Sequence, residues 1–390
     1  MSLIKSISGI RGTIGGHVGE NLTPLDIVKF TAAFATIICD GKTTPRMVVG
    51  RDGRISGSMV QQLVMQTLVG LGVEVIDLGL STTPTVELAV PAEKAAGGII
   101  ITASHNPQEW NALKLLNAEG EFIDAEVGRK VLQLAEKDQF QFATVEKLGS
   151  IVSKDYLATH IDAIINYPLV DAALIASRQL KVVVDAINST GATYVPALLK
   201  KLGVQEVIVI NEKINGQFAH NPEPLPEHLR GLCEEVVRQG ADLGIAVDPD
   251  VDRLCFVNED GTLFGEEYTL VAVADYILSK RKGNTVSNMS STKSLREVTI
   301  SRGGVYTPAA VGEVNVVKKM KDTHAVIGGE GNGGIIVPDF HYGRDALIGI
   351  GLFLTHFAGQ DKAMSGFRKN YPNYFISKNK IELPEGINLV

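Results

Sequence analysis

Gly97-Gly98-Ile99-Ile100-Ile101 is followed directly by Thr102-Ala103-Ser104-His105-Asn106-Pro107-Gln108-Glu109. The first segment is apolar throughout, which is typical of a buried strand in a parallel sheet. The second is polar, and its Asn-Pro pair disfavours a helix and indicates a loop. Because α/β sheets bind ligands at the carboxyl ends of their strands, we predict an α/β fold with the Ser104 hydroxyl at such an end. For an isolated Ser-His pair, an ordinary βα loop is the commoner explanation.

The composition is typical of a globular protein that binds neither nucleic acid nor membranes. The 390 residues suffice for two or three domains, and the formal net charge of −7 argues against nucleic acid or an anionic membrane surface as partner. The N-terminus does not resemble a signal peptide, and no apolar run approaches the ~18 residues of a membrane span. Three widely spaced cysteines predict reduced thiols in a cytoplasmic protein rather than a zinc site or a disulfide framework.

Strand-like and helix-like runs alternate along the chain, which is the pattern of α/β domains. A unit of strand, polar loop, returning strand and Asn-x-x-Gly turn occurs at residues 98–120 and again at 244–261, with a looser copy at 325–337. The copies are too long for solenoid repeats, so we predict three tandem related α/β domains with mixed sheets around a central cleft. The predicted domains are residues 1–150, 151–257 and 258–370, followed by residues 371–390.

The loop of the second copy reads Asp248-Pro249-Asp250-Val251-Asp252-Arg253. Three carboxylates at alternate positions supply the oxygen ligands that a hard cation such as Mg²⁺ prefers. Without a cation, their mutual repulsion would be costly. An EF-hand is excluded, because Arg253 stands where that loop requires glycine and strands flank the segment. A solvated acidic turn is the alternative that the spacing alone leaves open.

The loop of the third copy, Gly329-Glu330-Gly331-Asn332-Gly333-Gly334, matches the letters of a dinucleotide-binding fingerprint. We reject that interpretation, because the fingerprint must open a helix and the strand-like Ile335-Ile336-Val337 follows here. A carboxylate and an amide between glycines favour hydrogen bonds to sugar hydroxyls, with a flexible hairpin turn as the alternative. Near the N-terminus, Arg11 lies among glycines and is either a phosphate contact or an ordinary surface charge.

Taken in this order, the loops resemble those of the α-D-phosphohexomutase family, over essentially the whole chain. Residues 102–107 resemble its phosphoserine loop, residues 248–253 its Mg²⁺ loop and residues 329–334 its sugar-binding loop. The third loop is a variant, since many members carry Ser and His where Asn332 and Gly334 stand.

Two further segments point to a subgroup of that family. Gly312-Glu313 replaces the Gly-His of phosphomannomutase/phosphoglucomutase members, and Gly343-Arg344-Asp345-Ala346-Leu347 follows the sugar-binding loop. Both features are most similar to the phosphoglucosamine mutases. The resemblance therefore implies conversion of glucosamine 6-phosphate to glucosamine 1-phosphate, with phosphoglucomutase/phosphomannomutase activity as the alternative.

The resemblance also implies a mechanism and a set of residues. A phosphoserine exchanges its phosphoryl group with a phosphorylated hexose or hexosamine through a bisphosphorylated intermediate, with Mg²⁺ as cofactor. The implied first, second and third domains carry the phosphoserine, the metal and the sugar site. The implied residues are Ser104, Arg11, Lys114 and His105 for catalysis, Ser104, Asp248, Asp250 and Asp252 for the metal, and Arg253, Glu313, Glu330 and Asn332 for the substrate. His105 could equally stabilise the loop through a hydrogen bond.

One departure from the family concerns its fourth, C-terminal domain. In family members, an Arg-Ser-Gly-Thr-type loop of that domain grips the phosphate that is not transferred, and no such loop follows Gly334. We therefore expect residues 371–390 to be a linker or a remnant of a missing fourth domain. Such a chain could act instead as a phosphosugar phosphatase, because its cleft would stay open to water, or as a non-catalytic phosphosugar-binding module.

Overall fold

The computed structural model describes residues 2–6, 9–374 and 376. Ser8, in the segment around Arg11, and most of the predicted linker at 371–390 lie outside the described residues. Within the described residues, the chain forms three mixed sheets of seven, four and four strands. This confirms the prediction of three tandem α/β domains with mixed sheets.

The first domain is built on the seven-stranded sheet. Its elements are β1 Ile4–Ser6, β2 Gly9–Thr13, α1 Pro24–Ile38, β3 Arg46–Arg51, α2 Gly57–Gly70, β4 Glu74–Leu80, α3 Thr83–Ala92, β5 Gly97–Ile101, β6 Trp110–Leu116, α4 Ala125–Lys137 and β7 Ile151–Ser153. The strand order is β1-β2-β6-β5-β3-β4-β7, with β5, β3, β4 and β7 parallel. β7 lies just beyond the predicted boundary at residue 150, which stays a prediction.

Alternation of side chains along the central strands explains why helices cover both faces of this sheet. Met47 and Val49 belong to the hydrophobic cluster under α1, α2 and α4, whereas Val48 belongs to the cluster under α3. A strand buried on both faces must be apolar at successive positions. β3 and β5 have such continuous apolar runs. α1 begins at Pro24 because Thr23 and Asp26 form a capping box.

The second and third domains each contain a four-stranded sheet. The second domain comprises α5 Leu157–Ile165, α6 Ala172–Ser177, β8 Lys181–Asp185, α7 Gly191–Lys201, β9 Glu206–Ile210, α8 Arg230–Gln239, β10 Leu243–Val247 and β11 Leu254–Asn258, in the strand order β11-β10-β8-β9. The third comprises α9 Glu266–Lys280, β12 Asn284–Asn288, α10 Ser294–Ser301, β13 Tyr306–Ala309, α11 Glu313–Thr323, β14 Ala325–Gly329, β15 Ile335–Ile336, α12 Ala346–Ala358 and α13 Met364–Arg368, in the order β13-β12-β14-β15.

One structural unit recurs in all three sheets. β5, β10 and β14 each pair in parallel with one neighbour and antiparallel with the next strand of the chain, namely β6, β11 and β15. The three loops with the predicted chemistry are the connections within these antiparallel pairs. Each holds a residue in the left-handed region, at Ser104 (φ 49°), Val251 (φ 62°) and Gly333 (φ 83°). The internal repeat in the sequence therefore corresponds to a repeat in the structure.

The second and third domains share one hydrophobic core, whereas the first has its own. A single cluster of buried side chains runs from α5 and β8 to α12 and α13, and includes a stacked pair, Phe256 and Phe353, whose ring centroids are 3.8 Å apart. In α12, every residue except His356 is buried. Among the described residues, no hydrophobic cluster joins the first domain to the others. Among the described helices, none combines the length and apolar content needed to cross a lipid bilayer.

Asp345 connects helix capping to contacts between domains. One carboxylate oxygen accepts hydrogen bonds from the N–H groups of Leu347 and Ile348 at the start of α12. The other accepts from Nε2 of His160 in the second domain, at 3.0 Å, and from Nε2 of His341, at 3.2 Å. Although burial opposes it, these two histidines hold the pKa of Asp345 below its usual range. Asp345 thus satisfies a helix end and two ring nitrogens inside the protein.

Replacing Asp345 by Ala should lower the free energy of unfolding by about 3 kcal/mol, because buried His160, partly buried His341 and the first turn of α12 lose their acceptor. Asp124, which caps α4 from an exposed position, is the control, and Asp124→Ala should cost about 1 kcal/mol. Urea denaturation at neutral pH measures both losses. Since the folded-state pKa of Asp345 is depressed, its contribution is present above the ordinary carboxyl pKa. It disappears as the pH falls through the folded value, so the Asp345→Ala deficit should shrink in acid. Equal losses for the two variants would contradict this role.

Candidate active site

The three repeated loops open onto one cleft between the domains. Its volume is about 620 Å³. All of the residues that the sequence predicts for catalysis or substrate binding line this cleft, namely Arg11, Ser104, His105, Lys114, Arg253, Glu313, Glu330 and Asn332. Arg11 is exposed on β2, and Lys114 lies on β6. The structure therefore brings together side chains that are far apart in the sequence.

Ser104 is buried where β5 ends and is turned towards the second domain. Its backbone has a φ of 49°, and its N–H donates to Oγ1 of Thr102 at 2.9 Å. Its Oγ donates to Oδ2 of Asp248 at 2.7 Å. The hydroxyl predicted as the phosphoryl carrier thus lies in direct contact with the predicted metal-binding loop.

The carboxylates of Asp248, Asp250 and Asp252 form one buried group. Each offers an oxygen atom that lies within 4.8 Å of the others. Oδ2 of Asp250 accepts from Oγ1 of Thr83 at 2.5 Å and from Nζ of Lys114 at 2.7 Å. Both of these donors belong to the first domain. The Oδ1 atoms of Asp250 and Asp252 are buried and accept no hydrogen bond from any described residue.

These carboxylates fit a hard divalent cation. Burial, and then repulsion from Asp250 and Asp252, raise the pKa of Asp248 well above its usual range. Across the cleft, six carboxylates share three cationic side chains in their ion pairs, so negative charge is in excess. Unpartnered carboxylate oxygens are the ligands that such cations take. The group can therefore hold a metal ion, and an acidic turn open to solvent is excluded because all three side chains are buried.

Lys114 and His105 carry different charges in this cleft. Although burial opposes it, the carboxylates of Asp250 and Asp252 raise the pKa of Lys114. Burial, and then the guanidinium of Arg253, lower the pKa of His105 to about 4. Nδ1 of His105 is buried and has no hydrogen-bond partner among the described residues. A loop-stabilising bond through that atom is therefore not formed, and the neutral imidazole faces the cleft.

The predicted sugar-binding carboxylates are already organised by the protein. Oε1 of Glu330 accepts from Nδ2 of Asn288 at 2.8 Å, and Oε2 accepts from Nη1 of Arg344 at 2.9 Å. Glu313 accepts from Arg344 as well, at Nε and at the backbone N–H. Oδ1 of Asn332, which also lines the cleft, accepts from the N–H of Gly334 at 3.1 Å. The carboxylates of Glu313 and Glu330 are therefore held in fixed orientations at the cleft.

Arg253 is also held in place within the cleft. Its Nη1 donates to Oε1 of Glu223 at 2.6 Å, and its Nε lies 3.9 Å from Oδ2 of Asp248. The Nε atom is buried and has no hydrogen-bond partner among the described residues. The guanidinium is therefore fixed between Glu223 and Asp248.

Sequence reasoning missed two buried arginines that organise this site. Arg344 pairs with Asp252, Glu313 and Glu330, and so joins the predicted metal-binding loop to the predicted sugar-binding loop. Arg54 donates to backbone carbonyls of the Ser104 loop. Arg344 stands between Gly343 and Asp345, and this local sequence carries no signal of its partners. Arg54 stands in the polar segment Arg51-Asp52-Gly53-Arg54, where a strand ends, and that position was the available signal.

Family models match the chain in three consecutive parts. Residues 3–142 match phosphoglucomutase/phosphomannomutase alpha/beta/alpha domain I, residues 158–261 match domain II and residues 265–374 match domain III.

The chain belongs to the phosphoglucomutase/phosphomannomutase family.

Two relatives and one solved structure give the extent of this similarity. The chain is 36% identical over 374 residues to the phosphoglucomutase/phosphomannomutase of Thermococcus kodakarensis, which covers 95% of this chain and 81% of the relative. It is 30% identical over 393 residues to the phosphoglucosamine/phosphogalactosamine mutase of Sulfurisphaera tokodaii, which covers 99% of this chain and 84% of the relative. The crystal structure of a phosphoglucomutase/phosphomannomutase family protein from Burkholderia thailandensis superimposes with a TM-score of 0.83 at 26% identity, over 95% of this chain and 81% of that one.

Membership confirms the resemblance to the α-D-phosphohexomutases. The phosphoglucomutase/phosphomannomutase family is a family of mutases, so this chain is an intramolecular phosphotransferase. The second and third matched domains each contain a whole four-stranded sheet, and the first contains every strand of the seven-stranded sheet except β7. Each matched domain contributes one loop to the cleft.

Asp250→Asn should weaken binding of a divalent cation, because it removes one charge from the buried group. We expect the affinity for the cation to fall by more than ~10–100-fold, which is the usual effect of replacing a residue that contacts a metal ligand rather than the metal itself. Titration with Mn²⁺, followed by electron paramagnetic resonance, measures the affinity directly. Asp260→Asn, in the exposed turn after β11, is the matched control and should bind Mn²⁺ as the unchanged chain does. Unchanged Mn²⁺ affinity in Asp250→Asn would remove the assignment of the metal to this group.

Proposed function

We propose that this chain interconverts hexosamine 6-phosphate and hexosamine 1-phosphate, with Ser104 as the phosphoryl carrier and Mg²⁺ as cofactor. The observation that carries the proposal is the 2.7 Å hydrogen bond from Oγ of Ser104 to Asp248. A serine hydroxyl on one domain thereby meets a buried carboxylate group on another. Phosphoryl transfer requires little beyond such positioning and the neutralisation of charge.

Each half of the reaction balances in atoms and protons. A sugar hydroxyl attacks the phosphorus of phosphorylated Ser104, so that a sugar O–P bond forms and the Oγ–P bond breaks. The attacking hydroxyl loses its proton, and Oγ of Ser104 regains one, which it then shares with Asp248. His105, which lines the cleft, is the candidate that accepts the sugar proton and returns it to Oγ of Ser104. The second half is the reverse transfer, from the other phosphate of the sugar bisphosphate.

Several positive charges would surround the transferred phosphoryl group. Lys114 contacts Asp250 and faces the Ser104 loop, so its ammonium neutralises charge at the transferred group. Arg11 lies on the same wall, as a second cation. A Mg²⁺ ion held by Asp248, Asp250, Asp252 and the phosphate on Ser104 would supply further positive charge where charge develops.

Glu313, Glu330 and Asn332 contact the sugar in this proposal. Their acceptor and donor atoms can serve either orientation of a sugar whose hydroxyls are presented equivalently. A protonated amino group at one ring carbon would also find two carboxylates in the cleft, which supports a hexosamine. The name of the Sulfurisphaera relative supports the same choice, whereas that of the Thermococcus relative supports a hexose. A cytoplasmic location stays a prediction from the cysteine usage.

The phosphoserine is tested by intact-protein mass spectrometry of the purified chain. We expect one phosphate on the protein, lost on incubation with a hexose monophosphate, and none on Ser104→Ala. Transfer to the sugar should yield a sugar bisphosphate. Release as inorganic phosphate would instead favour the phosphatase, and a protein that never carries phosphate would overturn the proposal.

The substrate is tested by comparing kcat/KM for glucosamine 6-phosphate, glucose 6-phosphate and mannose 6-phosphate. We expect glucosamine 6-phosphate to be preferred by about tenfold or more, because an ion pair to a buried carboxylate exceeds a neutral hydrogen bond. Glu313→Gln should reduce that preference while leaving the rate with glucose 6-phosphate closer to its starting value. Equal kcat/KM for all three sugars would contradict a hexosamine specificity.

A further inference from the structure

Ser104 is held in a conformation that its own chemistry does not favour. Its φ of 49° lies in the left-handed region, which is costly for a residue with a β-carbon. Such a conformation persists only where the surrounding structure imposes it. The contacts of the Ser104 backbone therefore determine where Oγ points.

Arg54 lies buried directly beneath this loop, with a relative exposure of 1%. Nη2 donates to the carbonyls of Ser104, at 2.5 Å, and Asn106, at 2.6 Å. Nη1 donates to the carbonyls of Pro107, at 2.6 Å, and Trp110, at 3.0 Å. Together these bonds hold the loop at its start, its middle and its end.

The remaining donor of Arg54 connects it to the other side of Ser104. Nε donates to Oδ2 of Asp52 at 3.1 Å, and the same oxygen accepts from Oγ1 of Thr102 at 2.6 Å. Oγ1 of Thr102 in turn accepts the N–H of Ser104 at 2.9 Å. The buried ion pair of Arg54 and Asp52 thus holds the carbonyl of Ser104 directly and its N–H through Thr102.

All five N–H donors of the guanidinium are used in this arrangement, four of them on backbone carbonyls. A lysine has three donors and cannot match this planar pattern. The second domain covers the guanidinium, since the ring of Phe218 lies 5.0 Å from its central carbon. Neither Arg54 nor Asp52 lines the cleft, so neither is placed to touch the substrate.

We propose that Arg54 is the positioning residue of the phosphoryl carrier, and that with Asp52 and Thr102 it fixes Ser104 in the left-handed conformation that directs Oγ at Asp248. The inference rests on the proposed role of Ser104 as phosphoryl carrier. It concerns the rate of transfer to Oγ rather than the binding of the sugar.

Arg54→Lys tests this in the full chain, with glucose 1,6-bisphosphate as the phosphoryl donor. Rapid quenching followed by intact-protein mass spectrometry gives both the rate constant and the amplitude of Ser104 phosphorylation. We expect the rate constant to fall about 100-fold, because a misplaced reacting atom costs that much even when the group itself is unchanged. The KM for the phosphosugar should stay within about threefold, since Arg54 does not line the cleft.

Two comparisons separate positioning from a general loss of folding. Unfolded molecules would lower the amplitude of phosphorylation and leave its rate constant unchanged. Arg46→Lys is the matched control, because Arg46 lies at the opposite end of β3 and donates to the Glu93 carbonyl. It should phosphorylate Ser104 at the rate of the unchanged chain.

A second variant tests the other half of the arrangement if Arg54→Lys fails to fold. Thr102→Val removes the hydroxyl between Asp52 and the Ser104 N–H, and should slow phosphorylation about tenfold. Thr102→Ser keeps that hydroxyl and should recover most of the lost rate.

The outcomes distinguish this inference from the proposed function. If the unchanged chain takes no phosphate on Ser104, the proposed function fails. If it does, and Arg54→Lys or Thr102→Val phosphorylates at an unchanged rate constant, the positioning role is overturned. A rise in KM with no change in rate constant would also overturn it.

Discussion

Three buried carboxylates within 4.8 Å of one another are the constraint on which this structure depends. Such a group is stable only with positive charge beside it. The chain supplies that charge from all three domains, through Lys114 of the first, Arg253 of the second and Arg344 of the third. The same three cations also line the cleft. Stability of the Asp248–Asp252 group and assembly of the candidate site are therefore consequences of one set of ion pairs.

The interface of the first domain with the other two differs in character from the interface between the second and third domains. The second and third domains share a hydrophobic core around α12, which needs no ligand to stay closed. The first domain meets them through polar contacts, among them Thr83 with Asp250 and Lys321 with Glu121. Polar interfaces within a chain resemble transient protein–protein interfaces and permit relative motion. Ser104, the proposed phosphoryl carrier, thus sits on the domain whose attachment depends most on charge.

Much of the fold could be predicted from sequence, because buried parallel strands such as β3 and β5 are continuous apolar runs and the repeated loops interrupt them with polar residues. The candidate site followed from those loops. β1, β2 and β7 were not predicted, since β1 and β7 have only three residues each and β2 contains two glycines and an arginine. Arg54 was missed for a different reason. Four of its five donors go to backbone carbonyls, which every residue has, so nothing in the sequence marks those partners. The partners of Arg344 are carboxylates, but they become neighbours only when three loops meet.

Of the three copies of the repeated unit, two place a residue with a β-carbon in the left-handed conformation, and these two need support from buried contacts. Each loop passes through one left-handed residue, and in the third copy that residue is Gly333, for which the conformation costs little. The other two copies have Ser104 and Val251 there, at a steric cost. Val251 is fully buried, and its carbonyl accepts the N–H of Ala346 from the third domain. Under the proposed function, Ser104 must instead keep its hydroxyl open to the cleft, so packing over it is not available. Its conformation has to be imposed from beneath, through backbone hydrogen bonds, and a buried arginine with five donors is suited to that task.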